Sequence, residues 1–295
     1  MMLSQKAVDH YAQSSSVDSI VAERAVVLTY VLKIMSESNN SLLSHLAFKG
    51  GTCLKKIQFG KTGRFSMDLD FTAIDITKEQ FKSSLNSLLN GQEHYEVSFS
   101  IEDQWDSSDS YGAVIAYSHE WNKAQFDIEV SFREKPILHP VDLQLVNELY
   151  FRYCPFQVFN VQCLRMEEVL AEKIRASFQR IRARDLYDLY LFAITPGSYN
   201  KPLVKTLAVI KCWQARDSFN YVQLQTKITK ETYDWDDLQR LVRPDRLPQS
   251  KKVIQSVLGH YAYLGKLEDN LARIVADSKR HRETTLVTDT VRRFL

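Results

Sequence analysis

Phe65-Ser-Met-Asp-Leu-Asp-Phe-Thr-Ala-Ile74 alternates Phe65, Met67, Leu69 and Phe71 against Ser66, Asp68, Asp70 and Thr72. A two-residue period is that of a strand, so this segment predicts one apolar face and one face carrying the acids. Asp68 and Asp70 then project from the same side with Cα atoms about 6.6 Å apart, near enough to share a cation. An Asp-x-Asp pair alone is also a common strand end or turn, so the neighbouring sequence has to decide its meaning.

Upstream, Leu42–Ile57 passes from apolar residues through Gly50-Gly51 into a helical pattern around Leu54 and Ile57. A glycine pair at a helix start lets the backbone approach a phosphate, which free N–H groups and the positive dipole end attract. Ser66 faces the same side as the acids. A simple tight turn is the plainer reading of Gly50-Gly51, and only the Ser-x-Asp-x-Asp strand beside it favours phosphate.

Further out, residues 17–37 repeat apolar positions at helical spacing, and a short helix is expected over 78–89. Strand signals occupy 95–101, 113–118 and 125–132, predicting a mixed sheet of four or five strands. Beyond Pro155 the segments 166–180, 185–193, 202–216 and 248–277 are helical in period. The expected class is α+β, with a mixed-sheet domain over 1–155 followed by a helical domain over 156–295.

Composition narrows the function classes. With 44% hydrophobic and 25% charged residues the chain reads as globular, and its polar start and lack of a long apolar run predict a cytoplasmic protein without membrane contact. The four cysteines and seven histidines show no zinc or disulfide spacing. A net charge of +2 is too small to argue for nucleic acid by itself.

Lys49-Gly-Gly-Thr-Cys-Leu54, followed by Arg64-Phe-Ser-Met-Asp-Leu-Asp-Phe71, resembles the signature of the DNA polymerase β-like nucleotidyltransferase superfamily. More narrowly it is similar to the AbiEii/AbiGii toxins of bacterial toxin–antitoxin and phage-abortive-infection systems. Met166–Ala176 and Arg182-Ala-Arg-Asp-Leu-Tyr-Asp-Leu189 resemble that family's second pair of motifs. The resemblance implies that Gly50, Gly51 and Ser66 hold the triphosphate of an NTP, with Lys49, Thr52 and Arg64 in the same nucleotide-binding set. It implies a two-metal mechanism in which Asp68 and Asp70 bind a pair of Mg²⁺ or Mn²⁺ ions, that Lys173 reaches the nucleotide, and that Asp185 and Asp188 complete the site.

The resemblance also implies a third strand carboxylate that binds the metal, on Gln125-Phe-Asp-Ile-Glu-Val-Ser131, where Asp127 and Glu129 share a face and Glu129 matches best. Glu129 is preferred, because a carboxylate between Ile128 and Val130 would be costly to bury without a cation or donor. Asp185 alone reads equally as a first-turn helix acid, and Lys173, Arg180 and Arg184 as a solvated basic face.

The resemblance further implies transfer of a nucleoside monophosphate to RNA, at the tRNA 3′ end, with a co-encoded antitoxin as partner. Lys173, Arg175, Arg180, Arg182 and Arg184 would supply phosphate contacts. Transfer of a nucleotide or phosphate to a protein hydroxyl or small molecule keeps the same fold, and a non-catalytic NTP sensor is the third reading.

Overall fold

The computed structural model describes residues 3–38, 41–195, 197, 199–230 and 232–294. They divide into two compact units. Unit 1 comprises 1–136, 140–164 and 240–246, and unit 2 comprises 137–139, 165–239 and 247–295. Unit 1 continues past the expected boundary at 155 because the strand Asn160–Cys163 pairs inside its sheet.

Unit 1 opens with α1 (Gln5–Ser15) and α2 (Ser19–Glu37). Asp18 caps α2 by accepting from Ile20 N at 2.8 Å, satisfying one of the first-turn N–H groups. The sheet strands are β1 (Leu46–Lys49), β2 (Asp68–Ala73), β3 (Gln92–His94), β4 (Val97–Asp106), β5 (Ser110–His119), β6 (Asn122–Ser131), β7 (Val141–Gln144) and β8 (Asn160–Cys163). Their order is β3-β4-β5-β6-β2-β1-β8-β7, with β2/β6 and β1/β8 parallel and the other pairs antiparallel.

Among the described residues the sheet therefore has eight strands, not the expected four or five. Those the alternation did not reveal, β1, β3, β7 and β8, are three or four residues long, too short to display a period.

Between β1 and β2 lies α3 (Gly50–Cys53), which runs directly into a π-helical turn over Leu54–Phe59. Helix α4 (Lys78–Leu89) starts at a capping box in which Thr77 and Gln80 satisfy each other's backbone N–H. Its Phe81 meets Tyr111 at 5.8 Å between ring centres. The core face of the sheet carries Phe48, Leu69, Phe71, Tyr111, Ala113, Ile128 and Val130, all buried, with Phe48 and Phe71 paired across β1 and β2. Burying such residues stabilises by roughly 1.5–3 kcal/mol for each large side chain. That burial fixes which strand face remains open.

Unit 2 is helical: α5 (Met166–Gln179), α6 (Ala183–Ile194), α7 (Lys201–Gln214), α8 (Tyr221–Lys230), α9 (Asp236–Gln239), α10 (Ser250–His260), α11 (Asp269–Ala276) and α12 (Thr284–Arg292). The segment expected as one helix over 248–277 is two, α10 and α11. Between them Tyr261–Gly265 tightens into a 3₁₀ turn, with the Tyr261 hydroxyl donating to Leu189 O. Among the described residues no helix is long and apolar enough to cross a membrane.

At the centre of unit 2, Lys211 Nζ lies 2.8 Å from Glu168 Oε1, both side chains wholly buried. Glu168 also accepts from Ile137 N and Leu138 N, which ties the 137–139 segment to α5. Removing one partner of such a pair leaves an uncompensated buried charge. Lys211→Met should therefore cost about 3–5 kcal/mol, read by denaturant unfolding. An unchanged midpoint would show that the pair does not hold the unit.

Candidate active site

The apolar stripe of β2 turns Leu69 and Phe71 into the core, so Asp68 and Asp70 lie half-buried on the opposite face. Parallel pairing with β6 sets Asp68 beside Asp127 and Asp70 beside Glu129. Directly opposed residues share a face, so four carboxylates stand together on the open side of the sheet.

Glu129 is exposed, because the same alternation that buries Ile128 and Val130 turns it outward. The cost of burial is therefore no ground for preferring it to Asp127, which is also exposed. The Asp127 carboxyl is held above its ordinary range by partial burial and by the negative charge of Asp68, while Arg24 acts in the opposite direction. Arg24, on α2, was not singled out in the sequence. Its Nε is buried without a hydrogen-bond partner among the described residues.

The glycine pair approaches these acids closely. Gly50 has φ +77°, and a Cβ there would overlap Asp70 Oδ2. A Cβ on Gly51 would fall 2.5 Å from Arg64 Nη2 and 2.8 Å from Ser66 Oγ. Arg64 and Ser66 are buried, and Arg64 Nη1 donates to Phe65 O at 3.1 Å. Thr52 donates through Oγ1 to Asp68 O at 2.5 Å, so it fastens α3 to β2 through the backbone. Lys49 is half-buried and occupies the cap position before α3. Unit 1 thus gathers Gly50, Gly51, Arg64, Ser66, Asp68 and Asp70 around one strand–helix turn.

A hard divalent ion takes oxygen donors, and magnesium keeps several waters and needs only one or two carboxylates. Among the described residues no group of three or more Asp, Glu, His or Cys side chains forms a ready cage. Two half-exposed aspartates beside glycines that leave no room for a side chain fit an ion that arrives with substrate phosphate. Asp68 and Asp70 are the residues that would hold it.

Unit 2 brings the remaining expected residues together. Lys173, on α5, is buried and places Nζ 3.2 Å from Asp185 Oδ1 and 2.8 Å from Asp188 Oδ2. The two aspartates lie three apart on α6, and Asp185 is in its first turn. Arg180 grips Asp185 at two points, Nε to Oδ2 at 2.7 Å and Nη2 to Oδ1 at 3.0 Å. Arg184 Nε lies 3.1 Å from Asp237 Oδ2. The expected basic face is therefore not simply solvated: Lys173, Arg180 and Arg184 have carboxylate partners, while Arg182 is exposed.

Among the described residues an eight-stranded mixed sheet with a glycine-led turn and an Asp-x-Asp strand agrees with the nucleotidyltransferase class to which the family match assigns the chain. The chain belongs to the family described as Nucleotidyl transferase AbiEii toxin of type IV toxin–antitoxin systems, whose profile matches residues 33–276. It is similar to MenT4, a nucleotidyltransferase toxin from Mycobacterium tuberculosis H37Rv, at 23% identity and TM-score 0.82 over 98% of each chain. JHP933 from Helicobacter pylori matches at 15% identity and TM-score 0.52, over 84% of this chain and 93% of that one. No curated protein matches the chain.

Two measurements check this geometry. Gly50→Ala should cost about 1–2 kcal/mol from its left-handed backbone, yet abolish transfer because the methyl displaces Asp70. Activity falling only in step with stability would show that the close approach has no catalytic role. Burial raises the Asp185 carboxyl, but Lys173 and Arg180 outweigh it and hold it well below the usual range. A depressed folded-state value contributes stability that is present above the unfolded value of about 3.9 and is lost as pH falls beneath it. Acid unfolding from roughly pH 4 downward should thus be shallower in Asp185→Asn than in the parent, and parallel curves would contradict the assignment.

Proposed function

We propose that this toxin transfers a nucleoside monophosphate from an NTP to RNA, at the 3′ end of tRNA, where the added nucleotide would block aminoacylation. The observation that carries the reading is the open face of four carboxylates beside the glycine turn. Asp127 and Glu129 are exposed, so the end of a polymer has room to approach them.

In this reading the backbone of Gly50-Gly51 and the Ser66 hydroxyl bind the triphosphate. Asp68 and Asp70 would hold Mg²⁺ or Mn²⁺, which when bound supplies positive charge to the phosphate oxygens. Glu129, opposite Asp70, orients the acceptor hydroxyl and accepts its proton as the new O–P bond forms and the bond to pyrophosphate breaks. Lys173, Asp185 and Asp188 enter through the family's second pair of motifs, with Lys173 assigned to the nucleotide. Their ion pairs would hold Lys173 in one rotamer.

A type IV system also implies an antitoxin, and a co-encoded one is the partner we propose.

Incubation with each α-labelled NTP and total RNA tests the acceptor: label should enter tRNA, and label in protein would favour the hydroxyl-modifying alternative. Asp68→Asn and Asp70→Asn should each lower the rate by about a hundredfold or more while the melting temperature holds, since several kcal/mol of charge stabilisation are lost. EDTA should stop the parent enzyme. Single-turnover transfer by Glu129→Gln and Asp127→Asn in parallel separates the two acids, and loss in Asp127→Asn alone would reverse the choice.

A further inference from the structure

Strand β4 changes phase halfway along. Val97 and Phe99 point into the core and alternate with Ser98 and Ser100. Unbroken alternation would send Trp105 to the core side as well. Between Ile101 and Asp103 the register with β5 shifts: Ile101 faces Ile115, but Asp103 already faces Val114. One extra residue on β4 is a β-bulge, and it reverses the faces of everything after it.

Trp105 consequently lies opposite Gly112 on the open side. A Cβ on Gly112 would fall on the indole, overlapping Cε2 and Cζ2, so the ring covers the glycine. Tyr111 donates to Gln104 Oε1 at 2.9 Å, holding the strand end in its shifted register. The indole is 37% exposed.

Its position relative to the acids follows from the pairing. Trp105, Gly112, Glu129, Asp70 and Lys49 form one row across five strands. With neighbouring strands about 4.8 Å apart, Gly112 lies roughly 10 Å from Asp70. The phosphate turn at Gly50-Gly51 is at one end of this row and the indole at the other. In-line displacement brings the attacking hydroxyl from the side opposite the leaving pyrophosphate. The indole therefore stands on the acceptor's side of the acids, away from the triphosphate.

We propose that Trp105, supported on Gly112, is a stacking platform for the terminal base of a single-stranded RNA acceptor. This rests on the RNA reading above and assigns a positioning residue to it. An aromatic face accepts any base, so the platform fixes where the 3′ end lies without choosing its sequence. A ring laid over a glycine offers one flat face and keeps its other side filled. Among the described residues neither a core role nor a hydrogen bond of the indole explains why β4 is bulged to place it there.

The test uses the full chain and a short single-stranded oligoribonucleotide. Trp105→Ala should raise the acceptor KM roughly tenfold and leave the NTP KM unchanged, while Trp105→Phe should recover most of the loss. Indole fluorescence of the parent should be quenched by the oligonucleotide, and the quenching should vanish in Trp105→Phe. Gly112→Ala, which displaces the ring without removing it, should reproduce the Trp105→Ala effect on acceptor KM. A rise in the NTP KM alone would overturn the proposal by giving the ring to the incoming nucleotide. Transfer to RNA with unchanged acceptor KM and no quenching would overturn the platform and leave the RNA reading standing. Quenching without any transfer to RNA would sink that reading and support the platform as a base-binding site.

Discussion

The parallel pairing of β2 with β6 is the contact on which the rest of the site depends. It sets Asp68 beside Asp127 and Asp70 beside Glu129, while Leu69, Phe71, Ile128 and Val130 go into the core on the other face. Strand periodicity makes this choice all-or-none. A slip of one residue would bury carboxylates and expose phenylalanine, so the hydrophobic energy of the core specifies the chemistry of the open face. The turn before β2 obeys the same logic. Thr52 bonds to the backbone at Asp68, and Gly50 comes so near Asp70 that only glycine fits.

Unit 2 uses charge differently. Its central pair, Lys211 with Glu168, is fully buried and backed by two backbone donors, which is a structural arrangement. Lys173 with Asp185 and Asp188 is nearly as buried, and Arg180 adds a bidentate grip. Both groups contain a lysine flanked by carboxylates, so pairing alone does not separate function from scaffold. What separates them is sequence context. The Lys173 group falls on segments that resemble the family's motifs, whereas Lys211 follows the apolar run Leu207–Ile210 of α7, outside those segments.

The amino-acid sequence displays the fold where its period is long enough to be counted. β2 and β6 and the helices α4, α5 and α7 were legible because each repeats its pattern over six or more residues. β1, β7 and β8 were not, since a four-residue strand owes its existence to partners supplied by distant segments. Within the site, the glycine turn, Ser66 and the two aspartates could be read directly, because one strand and one turn hold them. Lys173 and the α6 aspartates were readable only through resemblance. Arg24 and Trp105 carried no local signal, since Arg24 meets Asp127 from a helix far away in the sequence and Trp105 is turned outward by a bulge that no periodicity announces.

The density of negative charge on the open face also bears on purpose. Partial burial and the neighbouring charge of Asp68 both raise the Asp127 carboxyl, and Arg24 offsets only part of this. Like charges held close in a fold lower its stability, and carboxylates set against one another in this way concentrate at functional sites. A purely structural strand would relieve the strain with any neutral residue at one of the four positions, because none of these side chains is needed to fill the core. The core therefore gives no reason for the acids to remain. The positively charged occupant proposed for Asp68 and Asp70 would compensate them, and the glycines beside them leave the backbone room for phosphate to come close.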